Sequence, residues 1–286
     1  MLTIHYKKWL FVFIIYISIS CSSTKIFYNY ADYFLINWFE SYLELSMNQR
    51  SDLNIKVEKF LIWHRKSELP KIILFLEELK VRYKDGFDKQ DIEWVRLESK
   101  KILQRVLIYS EMDIVSFLLK IDDKQILNAK NKLSIKKDDW LIKQSMMTSE
   151  ELRDHILDRS YEFLEDWFGS LEFSQRKKIA TWVKSDHNWV DIRLRNREKF
   201  QYDIIELLKS KKSLKENVHF WVLNIESHWT EEYKNAIEDK RQEWEMITLM
   251  IDASTLPHQR SHVLSKLDKY IEDFKDLSSI ERKISD

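Results

Sequence analysis

The sequence predicts an all-α protein, a multi-helix bundle of roughly eight to ten amphipathic helices, and three observations predict it. The chain of 286 residues contains only two glycines and two prolines, which leaves almost no chemistry for the tight turns that join strands. Leu, Ile, Lys, Glu and Asp dominate what remains. Apolar residues recur every three or four positions, the period of a helix with one buried face. With 44% hydrophobic and 13% aromatic residues, the chain has the material for a real core.

The apolar stripes follow one another with little linker between them. Leu35, Phe39, Tyr42 and Leu43 share one face; Leu53, Val57, Phe60, Leu61 and His64 the next; then Ile72, Phe75, Leu76, Leu79 and Tyr83. Further helices are expected from Ile92, Val95, Ile102 and Val106; from Leu152, Ile156, Phe163 and Trp167; and from Trp189, Ile192, Phe200, Ile204 and Leu207. Val218, Trp221, Val222, Ile225 and Trp229 read as a single stripe. Tyr233, Ile237, Trp244, Ile247 and Ile251 make another, and Leu264, Leu267, Ile271 and Phe274 close the series. The Lys- and Asn-rich segment 128–139 is where two lobes would divide.

Three helix starts repeat one pattern, an apolar residue, a polar residue, two variable positions and a glutamine: Leu45-Ser46-Met47-Asn48-Gln49, Ile121-Asp122-Asp123-Lys124-Gln125 and Leu171-Glu172-Phe173-Ser174-Gln175. Ser46 or Asp122 can accept an orphan amide of the first turn while the glutamine reaches back, and the apolar residue staples the turn; Glu172 is a weaker cap. In these short pieces the chain resembles the Spy-like periplasmic stress chaperones, whose Leu-Thr-x-x-Gln motifs mark helical, enzymatically inactive cradles for unfolded clients. The threonine is absent here, and this chain is much longer.

The first residues read as a targeting segment rather than as part of the fold. Lys7 and Lys8 supply positive charge, Trp9 to Ile17 an apolar run too short to span a bilayer, and Ser18 and Ser20 small residues ahead of Cys21, the only cysteine. This is the pattern of a bacterial lipoprotein signal, with residues 1–20 removed and 21–286 forming the helical domain, although Ser18 stands where a leucine is usual. An uncleaved anchor or an ordinary signal peptide are the alternatives. A lone cysteine has no intramolecular disulfide partner, and acyl chains, palmitate among them, on Cys21 would anchor the protein stably. Ser22, where an aspartate would favour inner-membrane retention, points to the periplasmic face of the outer membrane over that of the inner one.

Trp63-His64-Arg65-Lys66-Ser67-Glu68-Leu69-Pro70, with Tyr28-Asn29, Tyr42-Leu43-Glu44-Leu45 and Gln49 before it and Asp166-Trp167-Phe168-Gly169-Ser170-Leu171, Gln175 and Trp182 after it, resembles an uncharacterised lipoprotein family of Gram-negative bacteria, domain of unknown function 6279. The resemblance implies an acylated, helical, cell-envelope protein and transfers no catalytic residue. Read physically, Pro70 favours the first turn of a new helix and pushes Leu69 out of helical geometry, so the block is expected to form a helix–helix corner. His64 lies on the apolar stripe, and Arg65 is spaced to meet Glu68. Trp63, His64, Arg65, Glu68 and Pro70 are therefore the candidate structural or recognition corner. Gly169 reads as a helix C-terminus.

Chemical signatures are otherwise sparse. The chain has no nucleophile elbow, phosphate-cradling glycine loop or His-Glu-x-x-His helix. His258 and His262 share one helical face after Pro257 but make half a zinc site, without a neighbouring carboxylate; Asp186, His187 and His219 stand apart. The tryptophans fall mostly on the apolar stripes, where burial is expected. Basic and acidic residues number 47 each, so a nucleic-acid partner is not expected. The reading is a non-enzymatic, lipid-anchored binding or scaffolding module facing the periplasm, without cofactor or metal, partnered by the membrane through Cys21 and by an envelope protein. A chaperone-like cradle for unfolded proteins is the second reading, and an envelope-modifying enzyme the third.

Overall fold

A computed structural model of the chain describes residues 23–183 and 187–279; at 23, 135–142 and 144–145 it describes the backbone alone. The signal at 1–20, Cys21 and Asp186 lie outside the described residues. Among those residues every regular element is helical. The order is α1 (Ser23–Asn29), α2 (Ala31–Leu43), α3 (Met47–Trp63), α4 (Leu69–Lys84), α5 (Lys89–Leu118), α6 (Asp123–Ser145), α7 (Ser149–Phe168), α8 (Phe173–Trp182), α9 (His187–Lys209), α10 (Leu214–Leu223), α11 (Glu231–Ala253) and α12 (Pro257–Ser279). A π turn at His64–Glu68 joins α3 to α4, and short 3-10 turns occupy Lys211–Ser213 and Ile225–His228.

The stripes read from the sequence become the contacts between helices. One cluster joins α2 and α3 to α6 and α9 through Ile36, Leu43, Leu53, Val57, Ile126 and Leu208. In a second, Leu69, Ile73 and Leu76 of α4 pack on Val263, Leu267 and Ile271 of α12. Smaller clusters hold α10 to α5 through Val115, Val218 and Val222, and α7 and α8 to α11 through Leu164, Ile179 and Ile251. Burying each such aliphatic side chain contributes about 1.5–3 kcal/mol.

Helix starts use caps that the sequence states openly. Besides Ser46, the Asp88 carboxylate accepts the Asp91 amide at 2.9 Å, Thr148 that of Glu151 at 3.2 Å and Thr230 that of Tyr233 at 3.1 Å, each satisfying an orphan donor of the first turn. Between α4 and α5, Gly86 adopts φ +103°, and a Cβ there would stand 3.0 Å from Asp252 Oδ2. That carboxylate accepts the Phe87 amide at 2.9 Å and meets Arg260 Nη2 at 3.2 Å, pinning the loop to α11 and α12. Gly169, at φ +76°, ends α7 as expected.

Several expectations are corrected. Leu69 keeps helical geometry (φ −56°, ψ −41°), and the chain runs from α3 into α4 through the π turn instead of breaking at a corner. The wider turn lets the Leu69 amide bond the His64 carbonyl five residues back, which accommodates a proline that lacks its own N–H. The stripe from Val218 to Trp229 divides, α10 ending before Asn224 and the 3-10 turn following. Apart from these corrections, segment 128–139 runs within α6. No described tryptophan is fully buried. Several lie half-buried beside cations, with Arg82 4.4 Å from the Trp94 ring centre and Lys266 4.9 Å from that of Trp167, where the ring faces attract positive charge.

Candidate functional site

The π turn presents three of its residues, His64, Arg65 and Glu68, to α1 and α5. Glu68 is fully buried, and its carboxylate accepts from Arg105 of α5: Nε lies 3.0 Å from both carboxylate oxygens and Nη2 2.5 Å from Oε1. Lys71 Nζ stands farther off, at 3.8 Å. The expected Arg65–Glu68 pair is replaced by this one, because the π turn swings Arg65 toward α1. Arg65, also buried, donates from Nη2 to Asn29 Oδ1 at 2.9 Å and lies 5.0 Å from the Tyr28 ring centre.

His64 completes the contact with α1. Its Nδ1 and the Tyr28 hydroxyl are 2.7 Å apart, and Phe60 and Trp63 flank the imidazole. Burial pushes His64 down to about 4; the Glu68 carboxylate raises it by less and Arg65 lowers it, so the neutral ring is the resting form. Trp63 stacks on Tyr109 of α5, ring centres 3.9 Å apart and nearly parallel. Pro70 is exposed at the start of α4. The five residues of the sequence block are thus brought together, but each is committed to a neighbouring helix or to the turn itself.

The glutamine pattern proves to be the second organised polar feature. Gln49 and Gln125 exchange side-chain amide bonds, Nε2 to Oε1, at 2.9 and 2.8 Å. Each Oε1 also accepts the backbone amide of its own cap residue, Ser46 or Asp122, and each Nε2 donates to the carbonyl before the opposite corner, Lys120 or Glu44. Gln175 and Gln259 repeat the arrangement, at 3.0 and 2.9 Å, with the Glu172 and Leu256 amides and the Ser254 and Ser170 carbonyls. Four corners, α2–α3 with α5–α6 and α7–α8 with α11–α12, are therefore tied in pairs. Every donor and acceptor of the four side-chain amides is used.

Sequence reasoning missed Arg105, which carries no local signal because its partner is 37 residues away. It also missed Gln259, since its cap position holds Leu256 in place of a polar residue; a glutamine three residues into a helix start was the signal available. Another imidazole, His228, is buried and sits 3.4 Å from Asp203 Oδ2, and burial lowers its pKa while Asp203 opposes. His219 meets Glu111 at 3.1 Å. His258 and His262 are exposed on α12. Among the described residues no group of three or more His, Cys, Asp or Glu is placed to hold a metal ion, and no helix is long and apolar enough to cross a membrane.

Comparisons with curated proteins and with solved structures return no match. Residues 41–234 match DUF6279, a family of unknown function, and this stretch takes in the π turn, Arg105 and the whole of the first glutamine pair, but only Gln175 of the second. The chain therefore belongs to the DUF6279 family.

Proposed function

We propose that the protein is a lipid-anchored binding or scaffolding component of the Gram-negative envelope, held at the periplasmic face of the outer membrane through acyl chains on Cys21. The observation that carries this reading is the short separation in sequence between the lipoprotein-type signal ending at Cys21 and the helix Ser23–Asn29. Its support from the body itself is the use of the polar groups. Glu68, Arg65, Gln175 and Gln259 are buried in bonds between helices, an arrangement suited to a rigid support that works through its surfaces, without turnover.

Crosslinking in intact cells, with mass spectrometry of the captured species, tests the reading. One discrete envelope protein recovered with the wild-type chain, and lost when Cys21→Ala releases the chain from the membrane, is the expected result. Recovery of many unrelated unfolded clients would favour the cradle instead.

A further inference from the structure

We infer that the outer face of α1 and α2 lies against the lipid surface, so that the protein docks flat beside its anchor instead of swinging on it. This deepens the proposed function and rests on the acylation of Cys21.

The face is built for one side of a continuous rod. The Tyr30 amide bonds the Ile26 carbonyl and the Phe34 amide the Tyr30 carbonyl, both at 3.1 Å, so the helical path carries across the junction of α1 and α2. One side of the rod, Thr24, Ala31, Ile36 and Leu43, is buried. The opposite side exposes Ile26, Tyr30, Tyr33, Phe34 and Trp38, with Tyr33 61% exposed. These residues follow helical spacing and cover about 18 Å of the rod's length. Between Lys25 and Glu40 the only charged residue is Asp32, in a chain that is 33% charged. An uncharged strip of aromatic and aliphatic side chains is unusual on a water-facing helix. Tyr and Trp are the residues that favour the headgroup level of a bilayer, where an apolar ring and a polar edge are both satisfied.

The place of this face decides its occupant. Cys21 is two residues from Ser23, so whatever its conformation its Cα lies within about 7 Å of the start of α1. An acylated Cys21 therefore brings the bilayer to the end of this rod. The rod is also fixed to the body: Tyr28 and Asn29 meet His64 and Arg65, and Lys25 pairs with Asp273, at 3.3 Å, and with Asp276 of α12. A rigid rod with one end at the membrane and its free side apolar gains most by lying in the interface, to the depth that amphipathic helices reach. The strip has no basic residues beyond the paired Lys25, so the contact depends on ring burial and is indifferent to salt.

The test uses the acylated full-length protein in vesicles of phosphatidylethanolamine and phosphatidylglycerol. The chain has one cysteine, and acylation consumes it, so Tyr33→Cys and, as a control on another helix, Phe173→Cys each give one site for an environment-sensitive dye. Phe173 lies on α8 and is 82% exposed. Dye at position 33 should shift to the blue and be quenched several-fold more strongly by lipid-borne quencher than dye at 173, equally in low and high salt. Equal quenching at the two positions overturns the inference, as does a position-33 dye that stays aqueous while a photocrosslinker there captures a protein. The mass of the Cys21 peptide from the same sample separates the two levels of failure. An acylated, vesicle-bound protein with an aqueous position 33 sinks only the docking, whereas an unacylated Cys21 sinks the anchoring and the docking with it.

Discussion

The π turn and the glutamine-paired corners make the same kind of joint, a helix end fixed to a distant helix, with opposite chemistry. Glu68 and Arg105 are a charged pair of unequal burial, the carboxylate fully enclosed and the guanidinium side chain about a third exposed. Gln175 and Gln259 are neutral, equivalent and both buried, and every donor and acceptor they carry is met, by each other and by four backbone groups. The difference teaches where each joint is vulnerable. A charged joint breaks asymmetrically, because one partner can escape to water and the other cannot. An amide joint breaks symmetrically and does not depend on pH.

The largest expected effect follows from that asymmetry. Arg105→Ala strands the Glu68 carboxylate in the interior with only Lys71 at 3.8 Å, and should cost about 3–5 kcal/mol in urea unfolding. Glu68→Ala should cost less, since Arg105 can turn its head to solvent. Equal costs would mean that the carboxylate is not the trapped partner.

A smaller effect compares the two amide joints. Gln259→Ala takes one partner from each polar atom of Gln175 and leaves the Leu256 amide and the Ser170 carbonyl without theirs in a buried site, and should cost about 2–3 kcal/mol, whereas Gln49→Ala, at the partly exposed pair, should cost about 1 kcal/mol because water can replace the lost bonds. Matching losses at the two sites would show that burial does not set the price of the joint.

The smallest effect is a pH dependence at the π turn. His64 is held at about 4, below its ordinary 6.5, because burial disfavours the charged ring. Its contribution to stability is therefore complete above about pH 6.5 and is lost as the pH falls toward 4, where the unfolded chain takes up the proton first. With allowance for the partial exposure of the ring, the loss is on the order of 1 kcal/mol. His64→Phe should flatten part of the acid slope of the melting temperature and leave the rest, to which His228 contributes in the same direction. An unchanged slope would contradict the burial of the imidazole.

The same contrast explains what could be read from the residues alone. Most of the helices were legible because they bury a stripe against a neighbour, and a stripe is a local pattern: Leu53, Val57 and Leu61 announce α3 without knowledge of α6, whereas α1, α6 and α8 showed no such stripe. The helix starts at Ser46 and Asp122 were legible for the same reason. Their pairing across 76 residues was not, because a side-chain amide gives no sign of which distant amide it will meet. Arg105 was hidden in the same way. The block from Trp63 to Pro70 was singled out, but its geometry was misjudged, since the proline rule assumes an α-helical frame and the π turn supplies a different one. The tryptophans fall on the stripes, yet large rings reach past the core to its rim and meet Arg and Lys there.

The central claim, a helical body anchored through Cys21, is tested most directly by the intact mass of the N-terminal peptide from protein purified out of Gram-negative membranes. The account predicts a mature chain that begins at Cys21 and carries a diacylglycerol and an N-acyl chain, and a Cys21→Ala chain that carries neither. A mature N-terminus elsewhere, or Cys21 present without lipid, would contradict it.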